Sequence, residues 1–337
     1  MKSILSFLKV AIPLAFGVFL IWYVFKDLTD QEKEELYASF RQADYLWIFI
    51  SMGIGILSHV SRAIRWKYSI EPLGKVPGFW NSFFTVMIGY AANLALPRLG
   101  EVTRPGLLAK YEGFPFNKLF GTIVAERVAD LIILAGIMAT IVFIEFEMLR
   151  DQLFALVEQG SGKFSMGKII LFGGIALAGG VIFLVLLFGK SEHPILVKIR
   201  ELIRGVLEGV QSIWKMEKKG HFLVHTALIW IMYVGMFYTC FFSIPETADV
   251  PFGAVLASFV MGSLGIVFVQ GGLGVFPILI METLMLYEIS KTGALALGWI
   301  LWTSQTLMVI VVGIASIPLL RFVNRNKEIG STVDTQE

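Results

Sequence analysis

From Phe79 to Pro97 the chain passes without a single charged side chain, then enters the stretch NLALPRLGEVTRPGLL, residues 93–108, where Arg98, Glu101 and Arg104 are threaded among Pro97, Gly100, Pro105 and Gly106. Uncharged sequence resumes soon afterwards. An apolar run of this length is on the scale of the ~20 residues that carry a helix across ~30 Å of hydrocarbon, so the chain must deal with a bilayer. The composition agrees: of 337 residues, 56% are hydrophobic and only 16% charged, far too apolar for a soluble domain of this length.

Full spans fit at about 8–25, 45–63, 119–144, 168–189, 222–244 and 294–320, while the apolar runs 79–97 and 251–281 do not fit so simply. Lysine and arginine collect on the cytoplasmic side, so counting them loop by loop tests each crossing. The N-terminus has two, 26–44 has three against six acids, and 62–78 and 98–118 have four each. Two successive basic loops flank the run 79–97, which implies that it enters and leaves on one side. Further on, 145–168 has three, 190–221 has seven, 246–250 none, 282–293 one and the tail from Arg321 three. The 31 residues between 251 and 281 are too short for two spans and long for one, and a hairpin broken at QGGLG, 270–274, resolves the conflict.

The expected fold is therefore an all-α polytopic membrane protein of about six full spans and two re-entrant helical hairpins, arranged as an inverted repeat. Its first half would be 1–165, with the re-entrant segment 79–108. Its second would be 166–322, with the re-entrant segment 251–281 and an interfacial helix at 194–215, where apolar residues recur every three and four positions. A disordered tail, 323–337, would follow. Sliding the chain by 174 residues lays Val76, Pro77, Val86, Met87, Leu99 and Gly100 on identical residues, hairpin upon hairpin. Both termini fall in the cytoplasm and the chain in the plasma (inner) membrane, its first helix uncleaved because no small-residue cleavage site follows it.

Charges at membrane depth are costly, about 2.5–3.5 kcal/mol each near the bilayer centre, so they are usually paired or wetted. Glu126, Arg127 and Asp130 lie in ERVAD, some 8 to 12 residues into a span, and can address one side of their helix. The return arm of the first hairpin brings Arg98, Glu101 and Arg104 to similar depth. Two readings stay open: salt bridges that lock hairpin to helix, and an arginine left to grip an anion through its bidentate fork. Gln270, Gly271, Gly272 and Gly274 read as a turn or gate, together with Pro97 and Gly100. Arg62 and Arg65, with Lys67 and Trp66, read as a cytoplasmic interfacial anchor, and His59 as a packed helix residue. One cysteine and four scattered histidines give no metal site and no disulfide framework. No catalytic constellation and no cofactor motif appears, since no strand precedes the glycine patterns.

NLALPRLGEVTR, then ERVAD, then GGLG before the final hydrophobic segment, resembles the membrane domain of the lysylphosphatidylglycerol synthase and flippase-like family, also labelled UPF0104, over roughly residues 5–322. That resemblance implies a domain that moves an aminoacylated phospholipid across the bilayer. The family's soluble synthase domain has no counterpart here, so lysyl transfer is not expected. The family pattern falls on Pro97, Arg98, Gly100 and Glu101 with Arg104 following, on Glu126, Arg127 and Asp130, and on Gly271, Gly272 and Gly274. Gln270 replaces the expected proline, and an acid expected after the glycines is absent, with Pro277 nearby. The expected activity is passage of an anionic phospholipid or polyprenyl-phosphate-linked lipid. The alternatives are a membrane-embedded glycosyl- or aminoacyl-transferase acting on lipid phosphates and a non-transporting partner of an envelope enzyme. Membrane lipids and envelope biosynthesis enzymes are the expected partners and nucleic acid is not; the oligomeric state is left open.

Overall fold

The computed structural model describes residues 2–145, 197 and 209–325. Every regular element among them is helical. The helices are α1 (Lys2–Asp27), α2 (Asp30–Gln42), α3 (Tyr45–Ile70), α4 (Phe79–Ala95), α5 (Leu99–Glu112), α6 (Phe116–Ile144), α7 (Lys219–Phe241), α8 (Phe252–Phe268), α9 (Val275–Met285) and α10 (Lys291–Val323). Of these, α3, α7 and α10 are each long and apolar enough to cross a membrane. The span expected at 168–189 lies outside the described residues, as does most of the interfacial helix expected at 194–215, of which 197 and 209–215 are described and 209–214 are helical.

The surface is apolar where a soluble protein would be polar: Phe143, Val267 and Phe322 are 85%, 74% and 73% exposed. Such side chains suit hydrocarbon, which supplies no hydrophobic force between helices, so small and polar residues must do the packing. The α3–α7 pair shows this. Ser51 Oγ donates to the Met236 carbonyl at 2.6 Å, Ser61 Oγ lies 2.9 Å from His225 Nδ1, and Gly55 leaves room for Met236 and Gln305. Residue numbers rise along one helix as they fall along the other, so the two are antiparallel.

Two helical hairpins pack beside this pair. In the first, α4 stops at Leu96 and α5 starts after Arg98, whose backbone is left-handed (φ 61°). The arms then cross at two glycines. A methyl on Gly100 would collide with the Gly89 carbonyl oxygen and reach to 2.7 Å from its carbon, and Asn93 Oδ1 accepts the Gly100 N–H at 2.7 Å. Gly100 thus lies inside α5 as a packing position, not in the turn expected of it; the turn is made by Leu96, Pro97 and Arg98. At the open end of this hairpin the Glu112 carboxylate accepts the Gly78 N–H (3.2 Å) and the Asn81 amide, so the chain leaves where it entered.

The second hairpin, α8 and α9, has an entering arm of the same 17 residues as α4. Its tip carries Gly271, Gly272 and Gly274, all with positive φ. Its open end is also held by a carboxylate: Glu246 accepts the Ser290 N–H at 2.7 Å and its hydroxyl at 2.9 Å.

One helix departs from expectation. Residues 26–44, expected as a loop, contain α2, opened by a reciprocal cap in which Thr29 Oγ1 accepts the Glu32 N–H and Glu32 accepts the Thr29 N–H. The signature T-D-Q-E stands in the sequence. Lys291–Glu32 (3.2 Å) and Thr292–Glu35 (3.4 Å) tie α2 to the start of α10.

Candidate functional site

The charges meet where α3, α5, α6 and α7 converge. Asp130 of α6 accepts from two arginines one turn apart on α3: Arg62 Nη1 at 2.8 Å, and Arg65 Nη1 and Nη2 at 2.8 and 3.3 Å. Arg62 Nη2 also donates to the Tyr233 hydroxyl (3.1 Å) and Arg65 Nη1 to Thr226 Oγ1 (3.2 Å), both on α7. One turn earlier on α6, Glu126 Oε2 receives Arg104 Nη1 from α5 at 3.0 Å and lies 3.8 Å from Arg65 Nη2. The Arg104 guanidinium sits over the Trp66 indole, its carbon 3.8 Å from the ring centroid, a cation–π contact that holds it against α3. Trp66 is held in turn by Thr122 Oγ1 at 2.8 Å.

This overturns one expectation. Arg62 and Arg65 are not an interfacial anchor; they are 4% and 0% exposed and form the core of the network. Trp66, at 0%, packs inward with them. Their i, i+3 spacing lets both reach one carboxylate on a facing helix. His59, one turn before Arg62, packs its ring 4.8 Å from that of Tyr90 on α4.

The six residues named from ERVAD and the return arm separate into two groups and one outlier. Arg104, Glu126 and Asp130 are buried or nearly so and belong to the network. Arg127 and Glu101 face each other at 3.8 Å at its rim, with side chains 52% and 32% exposed. Arg98 stands apart: it is exposed at the hairpin tip and makes no ion pair among the described residues. Pro97 is exposed beside it, while Gly271, Gly272 and Gly274 sit at the other hairpin's tip.

Among the described residues the buried network sets three guanidiniums, Arg62, Arg65 and Arg104, against two carboxylates, one positive charge in excess. Several polar atoms there have no hydrogen-bond partner among the described residues: Nε of each of the three arginines, Nη2 of Arg104, and Oε1 of Glu126. Such atoms are rare in protein interiors because each forfeits its hydration. A space of about 20 Å³ lies beside them, lined by Arg62, Tyr90, Asn93, Gly100, Arg104 and Glu126 among others. It is large enough for a water molecule and too small for a phosphate group. Among the described residues no group of three or more metal-ligating side chains exists.

With this geometry in place, comparison with known proteins defines the class. The chain belongs to the family described as Lysylphosphatidylglycerol synthase TM region, which matches residues 10–313 and therefore includes both hairpins and the whole charge network. It is similar to a UPF0104 membrane protein of Methanocaldococcus jannaschii, 34% identical over 87 residues, which span 25% of this chain and 26% of that relative. No solved structure matches it.

Proposed function

We propose that this protein binds the phosphate of a membrane lipid at the arginine network and carries the headgroup across the membrane. The observation that carries the reading is Arg104: buried, in contact with one carboxylate oxygen, and left with two N–H edges unpartnered inside a network that already holds one excess positive charge. A phosphate oxygen pair matches the fork of a guanidinium and would neutralise the excess.

The architecture supports it. α3, the α4–α5 hairpin and α6 are followed by α7, the α8–α9 hairpin and α10 in the same order, and the contacts between halves correspond: α4 packs on α10 as α8 packs on α6. We read this as an inverted repeat with broken helices at equivalent places, the arrangement in which transporters form substrate sites near the midplane. The end that gathers Lys75, Lys110, Lys118, Lys215, Lys218 and Lys219 would be cytoplasmic, in the inner membrane, with both termini on that side.

Reconstitution in liposomes tests the reading. Headgroup translocation of an anionic phospholipid or polyprenyl phosphate is expected, and its loss in Arg104→Met while the protein stays folded. No translocation of any such lipid by the wild type would overturn it. A transferase acting on lipid phosphates would instead move label from a radiolabelled donor into lipid, and a partner of an envelope enzyme would co-purify with that enzyme without moving lipid.

A further inference from the structure

A second cavity, about 220 Å³, lies between the tips of the two hairpins, away from the charges. Leu94, at the end of α4, and Gly271, at the tip of the second hairpin, both line it. A methyl on Gly271 would touch Leu94 Cδ2 at 3.6 Å, so the tips meet there. Leu94 follows Asn93, which lines the small polar space: adjacent residues of one arm face the two cavities.

The second tip is held lightly. Trp302 Nε1 of α10 donates to the Gly271 carbonyl at 2.6 Å. On the other side α1 presses on it, with the Gly17 carbonyl against Gly274 and the Leu273 carbonyl against Gly17. Beneath lies this cavity, partly open to its surroundings, which leaves that side of the tip unpacked. Gln305 Oε1, which borders that void, is buried without a hydrogen-bond partner. Three glycines with φ between 65° and 74° give the segment backbone freedom that other residues lack. Room to move, one side-chain hydrogen bond among the described residues and a glycine hinge coincide at one contact.

We propose that the Leu94–Gly271 contact is a gate between the polar space and the interior cavity, latched shut by the Trp302 indole. α1, which stands outside the two matching runs of helices, supplies the stop against which the tip closes. The proposal rests on the transport reading only for its second readout. Opening would join the space beside Arg104 to the cavity through the point where the hairpins now touch.

The test is thiol labelling of a single cysteine, Leu94→Cys in a Cys240→Ala background, in detergent and in liposomes. Adding Trp302→Phe removes the latch and keeps an aromatic ring. It should raise the labelling rate about tenfold, the equivalent of one hydrogen bond. Ser263→Leu fills the void at no cost in lost partners, because Ser263 Oγ bonds only within its own helix to the Phe259 carbonyl, and it should slow labelling and lipid movement together. If Trp302→Phe does not fold, Ser263→Leu decides alone. Labelling unchanged by whichever of the two folds overturns the gate even if lipid still moves. Labelling that responds while no lipid moves keeps the gate and removes the transport reading instead.

Discussion

Arg98→Gly should leave the protein at least as stable and cripple its transport. Arg98 has φ 61° and ψ 6°, and with Glu288 it is one of two non-glycine residues of positive φ among those described. At the second tip the comparable position, two residues after the helix cap, is Gly271 with φ 65° and ψ 5°. A side chain in this region costs about 1–2 kcal/mol, and glycine gives back about 0.5–1 kcal/mol through the flexibility of the unfolded chain. The net gain in stability should be about 0.5–1 kcal/mol, since Arg98 makes no ion pair that would be lost. The guanidinium, in contrast, is exposed at the tip, two residues before Gly100 and the lining of the polar space. A charge-assisted hydrogen bond to phosphate is worth about 1.5–3 kcal/mol, so its removal should weaken lipid capture about 10- to 100-fold. Thermal unfolding in detergent and initial rates of headgroup translocation at several lipid concentrations measure the two effects. Arg98→Asn, which tolerates the left-handed backbone without charge, should behave alike. Transport at the wild-type rate in Arg98→Gly would show that this strained arginine serves no function and would refute the reasoning.

Asp130→Ala strands Arg62 and Arg65 in the interior and should cost about 3–5 kcal/mol, seen as a fall in Tm or loss of folded protein; stability equal to wild type would mean water already shields the pair. Gly100→Ala forces the two arms of the first hairpin apart, because its methyl would meet the Gly89 carbonyl, and should lower Tm more than Gly121→Ala, where a methyl meets nothing within 4 Å. Cysteines at Asp249 and Glu288 should label with an impermeant reagent from one side of the membrane, and a cysteine at Lys110 from the opposite side. Labelling of the first two from opposite sides would dispose of the re-entrant topology.

How far the sequence can be read depends on which physical term decides each feature. Counting lysine and arginine loop by loop predicts two hairpins, and two helical hairpins stand at those runs, with Glu112 and Gly78 closing the open end of one and Glu246 and Ser290 that of the other. The pairing of Arg104 with Glu126 is legible as common depth. Arg62 and Arg65 are not, because an arginine at a helix end has the same spacing whether it snorkels to the interface or turns inward, and only Asp130 on a distant helix decides. Helix α2 escapes for a different reason: its acids argue for a loop, while the local cap that starts it is written plainly in Thr29 and Glu32.

The two hairpins differ in a way that bears on mechanism. Both arms enter for 17 residues and both tips turn through a left-handed residue, yet one tip carries arginine and the other glycine. In the first, Asn93 Oδ1 accepts the Gly100 N–H and the arms touch at Gly89 and Gly100, leaving beside them only the space of about 20 Å³, so it is rigid where it presents charge. In the second, the Trp302 indole gives the one side-chain hydrogen bond to the tip among the described residues, and a cavity of about 220 Å³ lies beside it. On the transport reading proposed above, the first hairpin keeps Arg104 in register with Glu126, where displacement by an ångström would unpair buried charges, and the second would bear the movement. Exchanging the tips, with Arg98→Gly and Gly271→Arg in one chain, should therefore fail to restore transport, because the transplanted guanidinium would occupy a mobile, uncharged surround, away from Glu126 and Asp130, the carboxylates that hold Arg62, Arg65 and Arg104 in place.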